Sequence, residues 1–311
     1  MTATVRRSSG AATATSRPRG SRLRTSSGLG WILPALVLSV GVLYYCIGYT
    51  AYISTLNWDG TSPLQESVGL GNYLRLLGDP IFWGSIQHTV IFFVATFVVQ
   101  VVLGIVFACL LHSKLYLRTL YKVLIFVPAV LATATTAPIF REIYAPDGTL
   151  NGVLQTIGLG SLAQSWAASG PFALVIVITV QIWQSTGVVF VLYFAAIGQV
   201  EPEIVEAARI DGAGDLRIIT AIVWPSVRGT TIAIGILSAI GSLKTFDIPF
   251  LITSGGPSHA TDFLGTQIYR VSISFSQVGY GAALSIVLLV VALVTAVVIN
   301  VGGRRGDRAD V

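Results

Sequence analysis

Six long apolar segments constrain this chain more than any other feature of its sequence. They cover residues 29–56, 85–111, 119–140, 172–197, 230–253 and 281–301. A helix of about 20 apolar residues, rising about 1.5 Å per residue, crosses a hydrocarbon core of about 30 Å. Only 11% of the residues are charged, whereas soluble domains have about 25%. The sequence therefore predicts an all-α, polytopic membrane protein with six transmembrane helices.

The third segment differs from the others because it contains two prolines, Pro128 and Pro138. A proline inside a spanning helix frees a backbone carbonyl, which then needs a partner from a neighbouring helix or a hydroxyl group. We expect this segment to span the membrane as one helix in the interior of the bundle.

The positive residues predict the orientation. Of 19 Lys and Arg residues, 15 lie in the two terminal tails or beside the second–third and fourth–fifth connections, and three lie in the other connections. The positive-inside rule then places both termini, and the loop 198–229, in the cytoplasm. Because orientation accounts for this charge, nucleic acid is not an expected partner.

The distribution of basic and apolar residues divides the chain into three regions. Residues 1–28 are basic and lack apolar periodicity, which predicts a disordered cytoplasmic tail that contacts anionic membrane lipid. Residues 29–303 form the membrane domain, and 304–311 are a second cytoplasmic tail. Between the spans, "NYLRLL" and residues 150–157 predict short helices, and Gly255-Gly256-Pro257 predicts a turn.

Nothing in the sequence indicates an enzyme. His88, His112 and His259 lack the spacing of metal ligands, and Cys46 and Cys109 both fall within predicted spans. The chain also lacks a GxxxxGK[ST] phosphate-binding loop. We expect no catalytic residues, no metal site and no nucleotide site in this chain.

The loop 198–229 is polar although apolar segments flank it. It reads "EIVEAARIDGAGDLRIITAIVWPSVRG" after Pro202, and Pro202 and Glu203 are typical of a first helical turn. The pattern predicts a short helix, a bend at Gly212–Gly214 and a second apolar helix that stops at Pro225. On these grounds alone, an ordinary connector is an equally good interpretation.

The residue types in this loop resemble the EAA loop of ABC importer permeases. The matching residues are Glu206-Ala207-Ala208, Asp211-Gly212-Ala213, and then Ile219, Ile222 and Pro225. In that family the coupling helix inserts into a cleft of a separate ATPase subunit. The resemblance implies that ATP and Mg bind to the partner, with no cofactor on this chain. It also implies an ATPase-coupling set of Glu206, Ala207, Ala208, Asp211, Gly212 and Ala213.

Three further segments resemble the carbohydrate branch of this family, the maltose-type and multiple-sugar permeases. They are "GLGNYLRLLGDPIFWGSIQHTVIFF", "GTLN" and "FDIPFLITSGGPSHATDFLGTQIYR". The resemblance implies the type I importer permease fold in the plasma membrane of a bacterium. The implied partners are a second permease subunit, two ATPase subunits, an extracytoplasmic solute-binding protein and a sugar.

Polar residues inside the spans indicate where a substrate could bind, because such residues usually face the bundle interior or a cavity. Ser238, Ser242 and Thr245 follow i, i+4, i+7 spacing and share one helix face. Hydroxyl groups together with a flat ring, such as Trp183 or Phe246, suit a sugar. Interhelical hydrogen bonding is the alternative. The family resemblance favours the cavity, and it adds Gln184, Ser185 and Val188 to the predicted substrate site.

Two charged residues leave alternatives open. Lys244 and Asp247 are three apart and either form an ion pair, or Lys244 neutralises an anionic substrate such as glycerol-3-phosphate or another sugar or polyol phosphate. A secondary carrier is a second alternative. It predicts inverted repeats and intramembrane carboxylates, and Asp247 is the single candidate carboxylate.

Overall fold

The computed structural model describes residues 26–113 and 116–308, and it places side chains for 32–113 and 116–299. Most of the predicted N-terminal tail and residues 309–311 therefore lie outside the described residues. The chain divides into two units after Ile47. The described part of the first unit is helical throughout and belongs to α1 (Ser26–Ile53), which begins before the predicted end of the tail at residue 28.

The second unit contains the remaining α-helices and one short hairpin of β1 and β2. The elements are β1 (Leu56–Asn57), β2 (Glu66–Ser67), α2 (Gly71–Leu77), α3 (Pro80–His112), α4 (Arg118–Val130), α5 (Thr133–Ile143), α6 (Thr149–Thr156), α7 (Gly170–Ile197), α8 (Pro202–Ile210), α9 (Asp215–Ile218), α10 (Trp224–Ser226), α11 (Arg228–Leu243), α12 (Asp247–Thr253), α13 (Leu264–Tyr269) and α14 (Val278–Arg308). The short helices predicted at "NYLRLL" and 150–157 are confirmed as α2 and α6.

Four of the described helices are long and apolar enough to cross a membrane, and two bent helix pairs bring the number to six if each pair counts as one span. The prediction of six spans agrees with this upper number. The last helix, α14, continues to Arg308, past the predicted end of the sixth span at residue 301.

The third span is not one helix, and that part of the prediction is wrong. α4 and α5 meet at 96°, because Leu131 and Ala132 between them are extended. The last turn of α4 tightens when Leu131 N–H donates to the carbonyl of Pro128, at 3.3 Å. The break leaves the Leu131 carbonyl without a helical partner, and a side chain from α7 supplies one, as described below.

The fifth span is interrupted as well, which also contradicts the prediction. α9 continues through a π-helical turn (Ile219–Val223) into α10, and the chain then bends by 72° at Val227 before α11. α11 ends at Leu243, and residues 244–246 are not helical before α12 begins.

Close packing between helices defines the core of the second unit. α3, α7 and the helices around the bend at Val227 share one cluster of buried apolar side chains, including Ile105, Phe190 and Ile218. At Gly187 on α7, an added Cβ would lie 2.7 Å from the Ile125 carbonyl oxygen on α4. This glycine therefore lets α4 and α7 approach backbone to backbone. Two further clusters fill the other end of the bundle, beside α5 and α12 and beside α2 and α14.

Candidate functional site

A cavity of about 450 Å³ lies between α3, the break between α4 and α5, α7 and α11. All six residues of the predicted substrate site line it. Gln184, Ser185 and Val188 come from α7, Ser238 and Ser242 come from α11, and Thr245 lies in the interruption that follows α11. Helix spacing predicted that Ser238, Ser242 and Thr245 share one face, although Thr245 lies just beyond the helix end, and the family resemblance had added the three residues of α7.

Gln184 links two walls of the cavity. Its Nε2 donates to the carbonyl oxygen of Leu131 at 3.0 Å and to Oγ1 of Thr133 at 3.1 Å. On the same helix, Nε2 of Gln181 donates to Oγ of Ser185 at 2.6 Å. These bonds hold the polar side chains of α7 in place and satisfy the backbone at the break between α4 and α5.

The aromatic wall of the cavity differs in part from the prediction. Phe246 lines the cavity and stacks on Phe250, with ring centroids 4.9 Å apart. Trp183 instead packs edge-on against Phe140 at 5.0 Å and is not among the described lining residues. Trp183 points away because it lies next to Gln184 on α7, on a different side of the helix.

Lys244 and Asp247 both line the cavity, and their side chains are exposed. Within the described residues no ion pair joins them, so the predicted structural pair is absent. The spacing argument assumed a continuous helix, and the interruption at residues 244–246 removes the geometry on which it depended.

The loop with the EAA-like residues has the predicted helix, turn and helix. α8 begins with Pro202 at its first position and ends at Ile210, and Gly212 then takes a left-handed conformation with φ +80°. The second helix reaches Ser226, one residue past the predicted stop at Pro225, and it contains the π-helical turn that the pattern did not indicate.

The six predicted coupling residues divide into two sets. Ala208 and Ala213 pack against the buried cluster of α3 and α7, and the amide of Ala213 donates to the carbonyl of Ala208 at 2.9 Å. The exposed set is Glu206, Ala207, Asp211 and Gly212.

Two large apolar side chains extend this exposed surface, Ile210 at 86% and Leu216 at 77% exposure. Neither residue was among the predicted coupling residues. The sequence could have indicated them, because an isoleucine and a leucine stand inside an otherwise polar bend. Exposed apolar groups in a loop often mark an interaction surface.

A charged network at the other end of α11–α12 was also missed. Asp262 is buried, and its carboxylate forms a two-pronged ion pair with Arg270, in which Nη2 donates to Oδ1 at 2.8 Å and Nη1 donates to Oδ2. Nδ1 of His259 lies 2.5 Å from the same Oδ2. A carboxylate within "HATDFLGTQIYR", eight residues before an arginine, was the available signal. This network fixes the loop that follows the confirmed turn at Gly255-Gly256-Pro257.

No metal-binding cluster is found in 26–113 and 116–308: these residues contain no group of three or more His, Cys, Asp or Glu side chains placed to hold an ion. His88 and His112 instead meet backbone carbonyls, of Asp262 at 3.1 Å and of Ala108 at 2.9 Å.

Comparison with known proteins identifies the class of protein. Residues 100–305 match the family described as the binding-protein-dependent transport system inner membrane component. This range includes the six predicted substrate residues and the loop 198–229. The chain belongs to this family, so it is a membrane-embedded component of a transport system that works with a binding protein, and it is not an enzyme.

Individual relatives agree with this assignment. The chain is 32% identical over 266 residues to the probable ABC transporter permease protein YurN of Bacillus subtilis (strain 168), covering 85% of this chain and 91% of YurN. It is 30% identical to the multiple sugar-binding transport system permease protein MsmF of Streptococcus mutans serotype c, covering 84% of this chain and 90% of MsmF.

One solved structure shares the fold. It is the crystal structure of a bacterial ABC transporter involved in the import of the acidic polysaccharide alginate, with a TM-score of 0.74 and 22% identity. The match covers 91% of this chain and 99% of that one. The type I permease fold expected from the sequence is therefore confirmed.

Proposed function

We propose that this chain is one of two permease subunits of an ATP-driven importer that carries a sugar or oligosaccharide across the cytoplasmic membrane of a bacterium. The observation that supports this most is the convergence of the six predicted substrate residues on one cavity of about 450 Å³. Small-molecule sites usually occupy about 300–1,000 Å³ and combine apolar walls with a few polar groups. The name of the relative MsmF points to the same substrate class.

In the proposed mechanism both termini and the loop 198–229 face the cytoplasm. An extracytoplasmic solute-binding protein delivers the sugar to the opposite face, and two ATPase subunits close on ATP. The exposed residues Glu206, Ala207, Asp211 and Gly212 contact an ATPase subunit, and Ile210 and Leu216 add apolar area to that contact. ATP and Mg bind to the ATPase subunits, and this chain holds no cofactor.

The covalent path from the loop to the cavity supports this coupling. α10 leads through the bend at Val227 directly into α11, which carries Ser238 and Ser242. Ala208 and Ala213 also connect the loop to the buried cluster of α3 and α7. A movement of the loop therefore reaches two walls of the cavity, as alternating access requires.

The alternatives receive less support. A sugar or polyol phosphate would need a net positive site, but Lys244 lines the cavity together with Asp247. A secondary carrier would leave the exposed surface of the loop 198–229 without a role.

The first test is copurification of the tagged chain with its neighbouring subunits, followed by uptake into proteoliposomes. Wild type should carry ATPase subunits and accumulate sugar only with ATP and binding protein. Glu206→Lys should lose the ATPase subunits, whereas Glu66→Lys, an equally exposed glutamate in β2, should retain them. A chain that purifies alone and moves solute without ATP would instead be a secondary carrier.

A further inference from the structure

The donors and acceptors that the cavity wall presents to a ligand indicate which sugars this chain can accept. It rests on the proposed function, because it concerns the ligand of the same cavity. Three hydroxyl groups of the wall use their hydrogen within their own helix or its end. Thr96 donates to the Phe92 carbonyl at 2.6 Å, Ser242 to the Ser238 carbonyl at 2.8 Å, and Thr245 to the Gly241 carbonyl at 3.1 Å.

The consequence is that these hydroxyl groups face a ligand as acceptors. A Ser or Thr hydroxyl has one hydrogen to donate and two lone pairs that accept. Once the hydrogen is bound to a backbone carbonyl, only lone pairs remain for a ligand.

Two glutamine side chains of the cavity wall likewise use their donor hydrogens on the protein. Nε2 of Gln184 donates to the Leu131 carbonyl and Nε2 of Gln100 donates to the Gln181 carbonyl at 3.4 Å. A backbone carbonyl only accepts, so each amide must place its NH2 group on the protein. The Gln184 oxygen lies 3.4 Å from Oγ1 of Thr133, which also lines the cavity, whereas the Gln100 oxygen has no hydrogen-bond partner among the described residues. Amide oxygens therefore add to the acceptors of the wall.

Lys244 and Asp247 complete the polar set. Neither the Lys244 ammonium nor the Asp247 carboxylate has a hydrogen-bond or ion-pair partner among the described residues, and both side chains are exposed where they line the cavity. Lys244 offers three donor hydrogens and Asp247 offers only lone pairs. Their charges cancel, and because both residues line the same cavity, the Asp247 carboxylate offsets the attraction of Lys244 for an anion.

We infer that this cavity selects uncharged, hydroxyl-rich glycans against acidic ones, and that Lys244 and Asp247 bind the sugar directly. A neutral sugar brings a donor hydrogen on every hydroxyl group, which matches the acceptors of Thr96, Ser242 and Thr245. The hydroxyl groups of Ser185 and Ser238 keep a hydrogen that can bond a sugar oxygen. A carboxylate on the sugar brings acceptors only, and in this cavity it meets further lone pairs and the Asp247 carboxylate. Asp247 accepts from sugar hydroxyls, and Lys244 donates to sugar oxygens.

The test measures binding to the transporter complex in nanodiscs, without its binding protein, by saturation-transfer difference NMR. The neutral probes are maltose, lactose, cellobiose and diacetylchitobiose, and the acidic probe is digalacturonate. Wild type should bind at least one neutral probe, and its affinity for digalacturonate should be at least about tenfold weaker, because one lost charge-assisted hydrogen bond is enough for that difference.

Variants assign the effect to the two charged residues. Lys244→Met should weaken neutral-sugar binding about tenfold, and Asp247→Lys should strengthen digalacturonate binding by a similar factor. Lys122→Met is the matched control, because Lys122 lies over the ring of Phe194, at 3.9 Å, outside the described cavity wall. Gel filtration of each complex excludes misfolding.

The outcomes separate this inference from the proposed function. Equal or tighter binding of digalacturonate by wild type overturns the inference, and so does unchanged affinity in both Lys244→Met and Asp247→Lys. The absence of binding by every neutral probe overturns it as well. ATP-dependent sugar uptake in any of these cases leaves the proposed function standing, and the loss of all ATP-dependent sugar uptake removes that function too.

Discussion

The side-chain amide of Gln184 on α7 donates a 3.0 Å hydrogen bond to the backbone carbonyl of Leu131, at the break between α4 and α5. A backbone group freed at a helix break inside a membrane needs a partner, since lipid supplies none. A residue of the candidate substrate site therefore also stabilises the irregular backbone beside it. This double role means that substitutions in the cavity can change folding and transport together.

We expect Gln184→Leu to lower the stability of the protein by about 1–3 kcal/mol, because it leaves the Leu131 carbonyl without its partner. The measurement is the melting temperature of the purified complex. Gln199→Leu, at an exposed position two residues after the end of α7, is the control and should melt like wild type. Equal melting of Gln184→Leu and Gln199→Leu would show that the bond does not stabilise the break.

The ion pair of Asp262 and Arg270 gives a second prediction. Arg270→Met leaves the Asp262 carboxylate, which is 1% exposed, without its cation, and breaking a buried pair costs about 3–5 kcal/mol. Arg209→Met is the control, because its partner Asp215 is 87% exposed and 3.7 Å away, and such surface pairs contribute about 0–1 kcal/mol. In a denaturant titration, Arg270→Met should unfold at a clearly lower denaturant concentration than Arg209→Met. Similar unfolding midpoints for the two variants would contradict the prediction.

The close approach of α4 and α7 predicts the effect of a single methyl group. In Gly187→Ala the new Cβ would lie 2.7 Å from the Ile125 oxygen and 2.9 Å from Cα of Phe126. Backbone atoms cannot move aside cheaply, so we expect a loss of about 1–3 kcal/mol.

Gly84→Ala on α3 is the matched control, because no heavy atom lies within 4 Å of its added Cβ. Alanine is favoured over glycine inside a helix by about 0.5–1 kcal/mol. The melting temperature should therefore fall for Gly187→Ala and rise for Gly84→Ala. A shift of the same sign and size in both would refute the packing argument.

The exposed surface of the loop 198–229 predicts, under the proposed function, a loss of assembly without a loss of folding. Ile210→Asp should leave the stability of the isolated chain within about 0.5 kcal/mol, because Ile210 is 86% exposed. Its copurification with ATPase subunits should fall at least about tenfold.

Ile157→Asp provides the comparison for that experiment. Ile157 directly follows α6 and is 61% exposed, and in the proposed orientation it faces away from the ATPase subunits. It should copurify like wild type. Retention of ATPase subunits by Ile210→Asp would exclude this residue from the interface.

Local sequence patterns predicted the features that depend on local chemistry. Apolar length predicted the spans, and helix spacing placed Ser238 and Ser242 on the cavity wall. Pro202 and Gly212 predicted the start of α8 and the turn after it.

The features that were missed depend on contacts between distant parts of the chain. The break at Leu131 requires Gln184 from another helix, and no pattern near residue 131 encodes that partner. The interruption after Leu243 likewise removed the helical spacing that would have paired Lys244 with Asp247. The inward packing of Ala208 and Ala213 depends on the cluster formed by α3 and α7.

The chain bends by 72° at Val227, between the loop 198–229 and α11, so a rotation at this bend tilts the whole of α11. α11 has 16 residues and is therefore about 24 Å long. A tilt of about 5° at its base displaces its far end by about 2 Å, calculated from that length. Hydrogen bonds fail over such a distance. Under the proposed function, a small rotation at the loop end of α11 is therefore enough to break a hydrogen bond between Ser242 and a bound sugar.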